Sequence, residues 1–269
     1  MHFFLQSDKF TLDKEILDLK YVLSNFGNQY IHDVDEITIS DIKVAKFGQG
    51  VNIPVGTLDF VGAYLDNIKG SSYMKPLEIP DFLQKEVYLK RKYRICKFKD
   101  LPKTGIYFIK DASFLKNWDA KPFLMQTLNN DIPKLQDDWE EHDYVCSEVI
   151  DTILAEYRIL VHEDEVVGVQ YYSGIKKYNR VGIAIDTFKT SGVLSFPDEK
   201  IISSIVNDIR NFRNQGGIFP MSYTLDVAVT PDSTVLLEVH NFVSCGTYGF
   251  CGKELIYMYR NGIEFELSS

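Results

Sequence analysis

The 269-residue chain contains no apolar run that approaches the roughly 18 residues needed to cross a membrane, so we expect no membrane-spanning segment. Its first residues, MHFFLQSDKF, lack both a basic region and a long apolar stretch. We therefore expect no secretory signal and a cytoplasmic location. Cations are also scarce, because 29 Lys and Arg stand against 38 Asp and Glu and give a formal net charge of −9. This acidic balance argues against nucleic-acid binding, which requires an excess of Lys and Arg.

Several chemical motifs are missing as well. The four cysteines, Cys96, Cys146, Cys245 and Cys251, form no C-x-x-C pair, so we expect reduced thiols rather than zinc ligands or disulfides. No G-x-G-x-x-G fingerprint for a dinucleotide follows the first predicted strand, and no Ser/His/Asp or Cys/His arrangement for nucleophilic catalysis is present. What remains is an ordinary globular composition, 45% hydrophobic and 25% charged, long enough for one large domain or two to three small ones.

The chain begins with the pattern of a small α/β unit. Residues 2–6 are apolar enough for a strand, and apolar residues spaced three and four apart predict a helix over 12–26 and a second one over 55–65. Further along, residues 156–172 have the pattern of a β-hairpin, and a helix is predicted over 198–213. Strands and helices are thus mixed throughout the chain.

Charge is spread unevenly along this sequence. Residues 85–103 contain eight Lys or Arg and two acidic residues, a net charge of +6, so the rest of the chain carries −15. Such a run is most often a solvated face of the protein. The alternative is an electropositive wall beside a polyanion such as a triphosphate, and the run by itself does not decide between the two.

The most informative segment is a predicted hairpin, TLDVAV-TPDS-TVLLEV, in which each strand carries one carboxylate among apolar residues. If its turn has three residues, 231–233, then Thr230 pairs with Thr234 and Asp226 faces Glu238. Like charges opposite each other destabilise a sheet, and a divalent cation would relieve that repulsion. The alternative is a turn with an even number of residues, which would leave one of the two acids pointing to solvent.

Three other polar residues lie in apolar strand patterns. Glu156 and Arg158 are two apart and share a strand face, where they form either an ion pair or, through the guanidinium, a phosphate contact. Lys110 ends the apolar strand GIYFIK and needs either solvent or an anion. His240 shares a face with Glu238, and a lone histidine there is more often a packing or hydrogen-bonding residue than a metal ligand.

The order of these features resembles the ATP-grasp superfamily, and within it the short stand-alone branch of predicted carboxylate–amine ligases. The resemblance covers about the C-terminal two thirds of the chain, on the stretches YFIK, SEVI, EYRILVHEDEVVGVQYYSG, YTLDVAV and LLEVHNFVSCGTYGF. It implies an α+β ATP-grasp fold, in which two α+β subdomains clamp ATP. The implied division is a small α/β pre-ATP-grasp domain at 1–84, an N-terminal subdomain at 85–150 and a C-terminal subdomain at 151–269.

The resemblance also assigns roles to individual residues. Catalysis would fall to Lys110 and Arg158, and nucleotide binding to Lys110, Lys116, Glu148, Val149, Ile150 and Arg158. Mg²⁺ would be held by Asp226, Glu238 and His240. The usual Glu-x-Asn of the family reads Glu238-Val239-His240 here, with Asn241 displaced by one position, so the third ligand is His240 or Asn241.

The implied activity is the ATP-dependent joining of a carboxylate to an amine through an acyl phosphate, with ATP and Mg²⁺ required. The partners would be small-molecule or peptide substrates, with neither nucleic acid nor membrane, and a homodimer is possible. Two alternatives stay open: a small-molecule kinase with the same fold, and a non-catalytic nucleotide-binding adaptor. The substrates themselves leave no trace in these segments.

Overall fold

The computed structural model describes residues 1–8, 14–26, 33–72, 74, 78–112, 121–126, 139–173, 176–178, 184–186, 195–243 and 245–268. The helices within this part are α1 (Lys14–Phe26), α2 (Ile39–Ile42), α3 (Leu58–Lys69), α4 (Glu86–Leu89), α5 (Glu199–Asn214) and α6 (Leu255–Ser268). The strands are β1 (His2–Gln6), β2 (Asp33–Ile37), β3 (Asn52–Val55), β4 (Tyr93–Lys97), β5 (Ile106–Asp111), β6 (Lys121–Leu124), β7 (Asp143–Glu148), β8 (Thr152–Ile153), β9 (Ala155–His162), β10 (Glu165–Ser173), β11 (Lys176–Tyr178), β12 (Ala184–Asp186), β13 (Ser222–Val229) and β14 (Thr234–Asn241). Of the helices described here, none has the length and apolar character that a membrane crossing requires.

The first unit is a small parallel sheet with helical connections. Its strand order is β2-β1-β3, and both pairings are parallel, which requires a crossover connection between strands. The predicted strand at 2–6 is confirmed, and so is the first helix over its described part. The second helix begins at Leu58 rather than at residue 55, because Val55 ends β3 and Thr57 caps the helix by accepting a hydrogen bond from the Phe60 N–H.

Two antiparallel sheets follow this unit. One has the order β4-β7-β5-β6, and the other has the order β10-β9-β13-β14; β8, β11 and β12 form a small third sheet. Helix α5 covers one face of β10-β9-β13-β14, where Ile202, Ile205 and Ile209 pack on Tyr157 and Leu225 of the sheet. The predicted helix at 198–213 is therefore confirmed within one residue at each end, with Asp198 as its N-cap.

Side chains alternate strictly along β9 and β13, and this alternation creates the polar face of the sheet. Ile159 and Val227 point toward α5 and are fully buried in its core. Arg158 and Asp226, the neighbours of these residues in sequence, face the opposite side. Because successive strand residues point to opposite faces, the sheet can be a hydrophobic wall on one side and a polar surface on the other.

The core does not follow the order of the chain. Helix α6, near the end of the sequence, packs through Leu255 and Met258 into the same core as Phe3 and Leu5 of β1. The segment from Ile79 to Leu89 packs with α5. The division at residues 84 and 150 stays a prediction.

The contact between α4 and α5 leads to a stability prediction. Asp208 of α5 accepts hydrogen bonds from Lys85 Nζ and Tyr88 Oη, each at 2.6 Å. Partial burial opposes ionisation, but these two donors outweigh it and lower the pKa of the Asp208 carboxyl. We expect Asp208→Asn to reduce the free energy of unfolding at pH 7 by about 1 kcal/mol, a modest value because the pair is partly exposed and screened.

The pH dependence of this loss has a definite sign. Since the folded-state pKa of Asp208 is lowered, its stabilising contribution is present above the unfolded pKa near 4 and is lost as the pH falls through the folded value. Urea unfolding between pH 7 and pH 2 should therefore show the difference between wild type and Asp208→Asn shrinking. Asp232→Asn, at an exposed turn, serves as the control, and a difference that does not change with pH would contradict the assignment.

Candidate active site

A cleft lies between the two antiparallel sheets. The sheet β4-β7-β5-β6 contributes the apolar side chains Phe108 and Val145 and the cation Lys110, and the other sheet contributes Asp226 and Glu238. The connector after β7 closes one end of the cleft with Glu148, Val149 and Ile150. Most of the residues predicted from the sequence thus meet in one place, and their contacts are as follows.

Arg158 and Asp226 form a buried bidentate ion pair on neighbouring strands. They are paired across β9 and β13, and the Nε and Nη2 atoms of Arg158 each donate to a different oxygen of Asp226 at 2.7 Å. Burial opposes the charge on both groups, but their mutual contact outweighs it: the pKa of Arg158 is raised and that of Asp226 is lowered. Both groups therefore remain charged in the absence of any ligand.

Asp226 faces Glu238, as the sequence predicts, but the turn is not the predicted one. Val229 pairs with Thr234, so the loop has four residues instead of three, and Thr230 does not pair with Thr234. A β-bulge between Asp226 and Val227 then shifts the register by one residue and brings Glu238 opposite Asp226. The even-numbered turn therefore does not send either acid to solvent.

His240 completes a compact cluster with these two carboxylates. Its Nε2 atom lies 2.8 Å from Oε2 of Glu238 and 3.6 Å from Oδ2 of Asp226. Burial lowers the pKa of His240, but the two carboxylates outweigh that effect and raise the pKa above its ordinary value near 6.5. Asn241, the other candidate for a third ligand, contacts Glu266 and Gly262 of α6 instead.

The three residues of this cluster have a donor set that fits a metal ion. One ligand atom from each of Asp226, Glu238 and His240 can be chosen so that all three lie within 4.8 Å of one another. The two carboxylates match the preference of Mg²⁺ for oxygen, and this ion commonly takes one or two carboxylates from a protein and the rest of its ligands from phosphates and water. The imidazole nitrogen is the less typical member, since it suits transition metals better.

Lys110 crosses the cleft from β5. Its Nζ atom lies 3.4 Å from Oε1 of Glu238 and 3.7 Å from Oε1 of Glu78, and the side chain is only 12% exposed. Burial opposes its charge, but Glu238 and Glu78 outweigh burial and raise the pKa of Lys110. The ammonium group is thus held, protonated, between the two sheets.

Glu78 is a residue that the sequence did not point to. Besides Lys110, it accepts a hydrogen bond from the Tyr93 hydroxyl of β4 at 3.1 Å. It lies in a connector before α4, where neither periodicity nor a motif marks it. Its contact with Lys110 arises only from the way the connector crosses the cleft.

The connector after β7 is fixed in place by the segment before β4. The backbone N–H of Lys92 donates to Oε2 of Glu148 at 3.0 Å, and the Glu148 N–H donates to the Lys92 carbonyl at 3.0 Å. Val149 and Ile150 follow in irregular backbone and line the cleft. Lys116, the remaining predicted nucleotide ligand, lies outside the described residues.

The glycine-containing loop after β14 also reaches the site. The carbonyl of Gly246 accepts a hydrogen bond from Nη1 of Arg158 at 3.1 Å, and the ring of Tyr248 lies 5.0 Å from the guanidinium carbon. The next residue in this loop, Thr247, is fully buried and donates to Asp18 of α1 at 2.8 Å. The first unit of the protein therefore supports the loop that holds Arg158.

A known protein family matches residues 88–258, which is more than half of the chain, and it is described as an ATP-grasp domain, family 2 of its clade. This chain belongs to that ATP-grasp family. The predicted superfamily and fold class are thereby confirmed. A search of curated proteins found no significant match.

Solved structures with the same fold extend over nearly the whole chain. D-alanine–D-alanine ligase from Bacillus anthracis is 10% identical, has a TM-score of 0.55, and covers 100% of this chain and 99% of its own. The D-cycloserine synthetase DcsG is 10% identical, with a TM-score of 0.59 and coverage of 98% and 100%. An L-amino acid ligase from Bacillus licheniformis is 9% identical, with a TM-score of 0.54 and coverage of 99% and 75%. At such identities the similarity establishes the ATP-grasp fold alone.

In this ATP-grasp protein the cleft is already charge-compensated by its own side chains. Arg158 neutralises Asp226, and Lys110 and His240 contact Glu238. Each carboxylate that could bind a metal ion therefore has a cation beside it, and each of these cations could instead contact a phosphate. Such an arrangement can exchange partners when a metal ion and a triphosphate enter together.

Proposed function

We propose that this protein is an ATP-dependent carboxylate–amine ligase that forms an amide or peptide bond through an acyl phosphate. The observation that carries the proposal is the cluster of Lys110, Arg158, Asp226, Glu238 and His240 at the meeting of two clamping sheets. The names of the D-alanine–D-alanine ligase, D-cycloserine synthetase and L-amino acid ligase neighbours support it. Because phosphoryl transfer depends on positioning and electrostatics, no nucleophilic side chain is required.

The nucleotide base would lie at the connector end of the cleft. Glu148, Val149 and Ile150 offer backbone groups there, and Phe108 and Leu237 provide apolar surface from the two opposite sheets. An apolar slot with a few polar groups at its end is the usual form of a small-molecule site. The triphosphate would then extend toward Lys110, with Lys116 proposed as a second phosphate contact.

Asp226 and Glu238 would hold Mg²⁺, with His240 as the third proposed ligand. The bound ion would neutralise charge on the transferred phosphate. With the carboxylates engaged in this way, Arg158 and Lys110 would be released from their ion pairs to contact phosphate oxygens. Arg158 is suited to this role because a planar guanidinium binds two oxygens at once.

The proposed reaction has two steps. A carboxylate oxygen of the first substrate attacks the γ-phosphorus of ATP, and the bond to the β,γ-bridging oxygen breaks to release ADP. The amine of the second substrate then attacks the acyl carbon, phosphate leaves, and the amine nitrogen loses a proton as the amide forms. Arg158 and Lys110 would stabilise the negative charge that develops on the transferred phosphoryl group.

The test is to incubate the protein with ATP, Mg²⁺ and a panel of amino acids and peptides, and to analyse the mixture by mass spectrometry. We expect products one water lighter than the summed substrates, with ADP and phosphate released in equal amounts. Mg-ATP should also raise the melting temperature of the wild type, and by less in Lys110→Ala, which loses the proposed phosphate contact.

Other outcomes would overturn the proposal in different ways. A stable phosphorylated product without an amide would identify a small-molecule kinase. Binding of Mg-ATP without any turnover would identify a nucleotide-binding adaptor, which the replacement of the usual asparagine by His240 favours. If Mg-ATP leaves the melting temperature of the wild type unchanged, the nucleotide assignment itself is wrong.

A further inference from the structure

The bulge in β14 has a consequence for the cleft. In a regular strand Leu237 and Glu238 would point to opposite faces, and one of them would lie in the core under α5. The bulge makes Leu237 an extra residue, so that Leu237 and Glu238 both line the cleft, while Leu236 and Val239 on either side are buried in the core. Two consecutive residues can therefore serve one site.

The bulged form has a specific competitor. The three-residue turn expected from the sequence would pair Leu237 with Val227, without a bulge, and would still place Glu238 opposite Asp226. It would turn Leu237 toward the core and Leu236 toward the cleft. The two forms thus differ in which leucine faces the cleft, and something must favour the bulge, because a bulge disrupts the hydrogen bonds of the ladder locally.

Arg91 contacts the bulge directly. Its Nη1 atom donates to the carbonyl of Leu236 at 2.8 Å and to the carbonyl of Leu89, at the end of α4, at 3.1 Å. In the described structure β14 is the edge strand of its sheet, with α4 packed against it. A side-chain donor from outside the sheet therefore satisfies a carbonyl of the bulge that forms part of the edge.

The surroundings of Arg91 indicate that this contact is its principal interaction. Within the described part of the chain, no carboxylate lies within ion-pair distance of its guanidinium. Burial lowers the pKa of Arg91 to about 10, so the group is still charged at neutral pH and makes charge-assisted hydrogen bonds, which are the stronger kind. The next residue, Lys92, fixes Glu148 at the connector end of the cleft.

We propose that Arg91 is a positioning residue for the nucleotide base: it holds the β14 bulge and so turns Leu237 into the cleft opposite Phe108. This inference rests on the proposed function for the identity of the ligand, but its structural part does not. Arg91 acts on the base through Leu237, whereas Lys110 and Arg158 act on the phosphates. Removing Arg91 should therefore weaken binding of the base and leave phosphate binding intact.

The structural part is tested without any ligand. We expect Arg91→Gln to increase amide hydrogen exchange in the peptide covering residues 234–241 by about tenfold, because a charge-assisted hydrogen bond to the bulge is lost. Arg94→Gln is the matched control, since Arg94 of β4 also donates to a backbone carbonyl, that of Asp100, within its own unit. Unchanged exchange in Arg91→Gln would overturn the proposal whether or not the protein binds ATP.

The functional part compares ATP with inorganic tripolyphosphate, both with Mg²⁺, by calorimetry. Arg91→Gln and Leu237→Ala should each weaken ATP about tenfold and leave tripolyphosphate unchanged, whereas Arg94→Gln should change neither. Equal weakening of both ligands in Arg91→Gln would mean that Arg91 binds phosphate directly, and would overturn the positioning role. If Arg91→Gln does not fold, Arg91→Lys, which keeps the charge but not the planar donor pair, is used with the same criteria.

Discussion

Asp226→Asn is expected to reduce ATP turnover by at least about a hundredfold, the largest effect on activity that any single substitution in the cleft should cause. The amide keeps the size of the side chain and one acceptor oxygen, but it loses the negative charge that a metal ion requires. Because Glu238 and His240 remain, the site would keep only part of its donor set.

The same substitution also breaks a buried ion pair. Arg158 would lose its counter-ion while remaining nearly inaccessible to solvent, at 7% exposure. Removing one partner of such a pair usually costs about 3 kcal/mol or more of unfolding free energy. Turnover must therefore be measured below the melting temperature of the variant, with circular dichroism to show that it is folded.

Asp232→Asn, in the turn of the same hairpin, is the control for Asp226→Asn. It removes one negative charge from the exposed end of β13–β14 and should change neither turnover nor its dependence on Mg²⁺. If Asp226→Asn is folded and turns over ATP at the wild-type rate, Asp226 does not belong to the site. If both variants lose turnover equally, the effect comes from charge in general rather than from a ligand.

Much of the site was predictable because strand periodicity acts locally. The alternation of apolar and polar residues in β9 and β13 was sufficient to place Glu156, Arg158 and Asp226 on one face. The pairing of Asp226 with Glu238 was also predicted, but through a turn that does not form. The correct pairing arises because one shift in the turn and one in the bulge compensate each other.

The parts that could not be predicted depend on contacts between distant segments. Glu78 reaches Lys110 from a connector, and Asp18 of α1 supports Thr247, although 229 positions separate these two residues in the chain. Neither contact leaves a periodic or motif signal, since each depends on how whole units pack. The bulge belongs to the same class, because the donor that contacts it, Arg91, comes from another part of the chain.

Gly262→Ala is expected to destabilise the protein by about 3 kcal/mol, the largest stability effect among its glycine substitutions that we consider. In the interior of a helix this change normally stabilises, because alanine has the higher helix propensity by about 1 kcal/mol. Here α6 lies so close to the backbone following β14 that a Cβ atom at Gly262 would overlap the carbonyl group of Phe242. Backbone cannot move aside as a flexible side chain can, so the steric cost exceeds the gain in propensity.

Gly62→Ala in α3 is the matched control for this argument. It is also a buried glycine inside a helix, but its added Cβ would lie 3.5 Å from the nearest atom, the Cβ of Ser72, which is an ordinary van der Waals distance. Urea unfolding should therefore show Gly62→Ala more stable than wild type by about 0.5 to 1 kcal/mol and Gly262→Ala less stable. Effects of the same sign would mean that the approach of α6 to Phe242 is not tight. Because Phe242 directly follows β14, relief of the overlap would also displace the strand that carries Glu238 and His240, so turnover should fall in Gly262→Ala and not in Gly62→Ala.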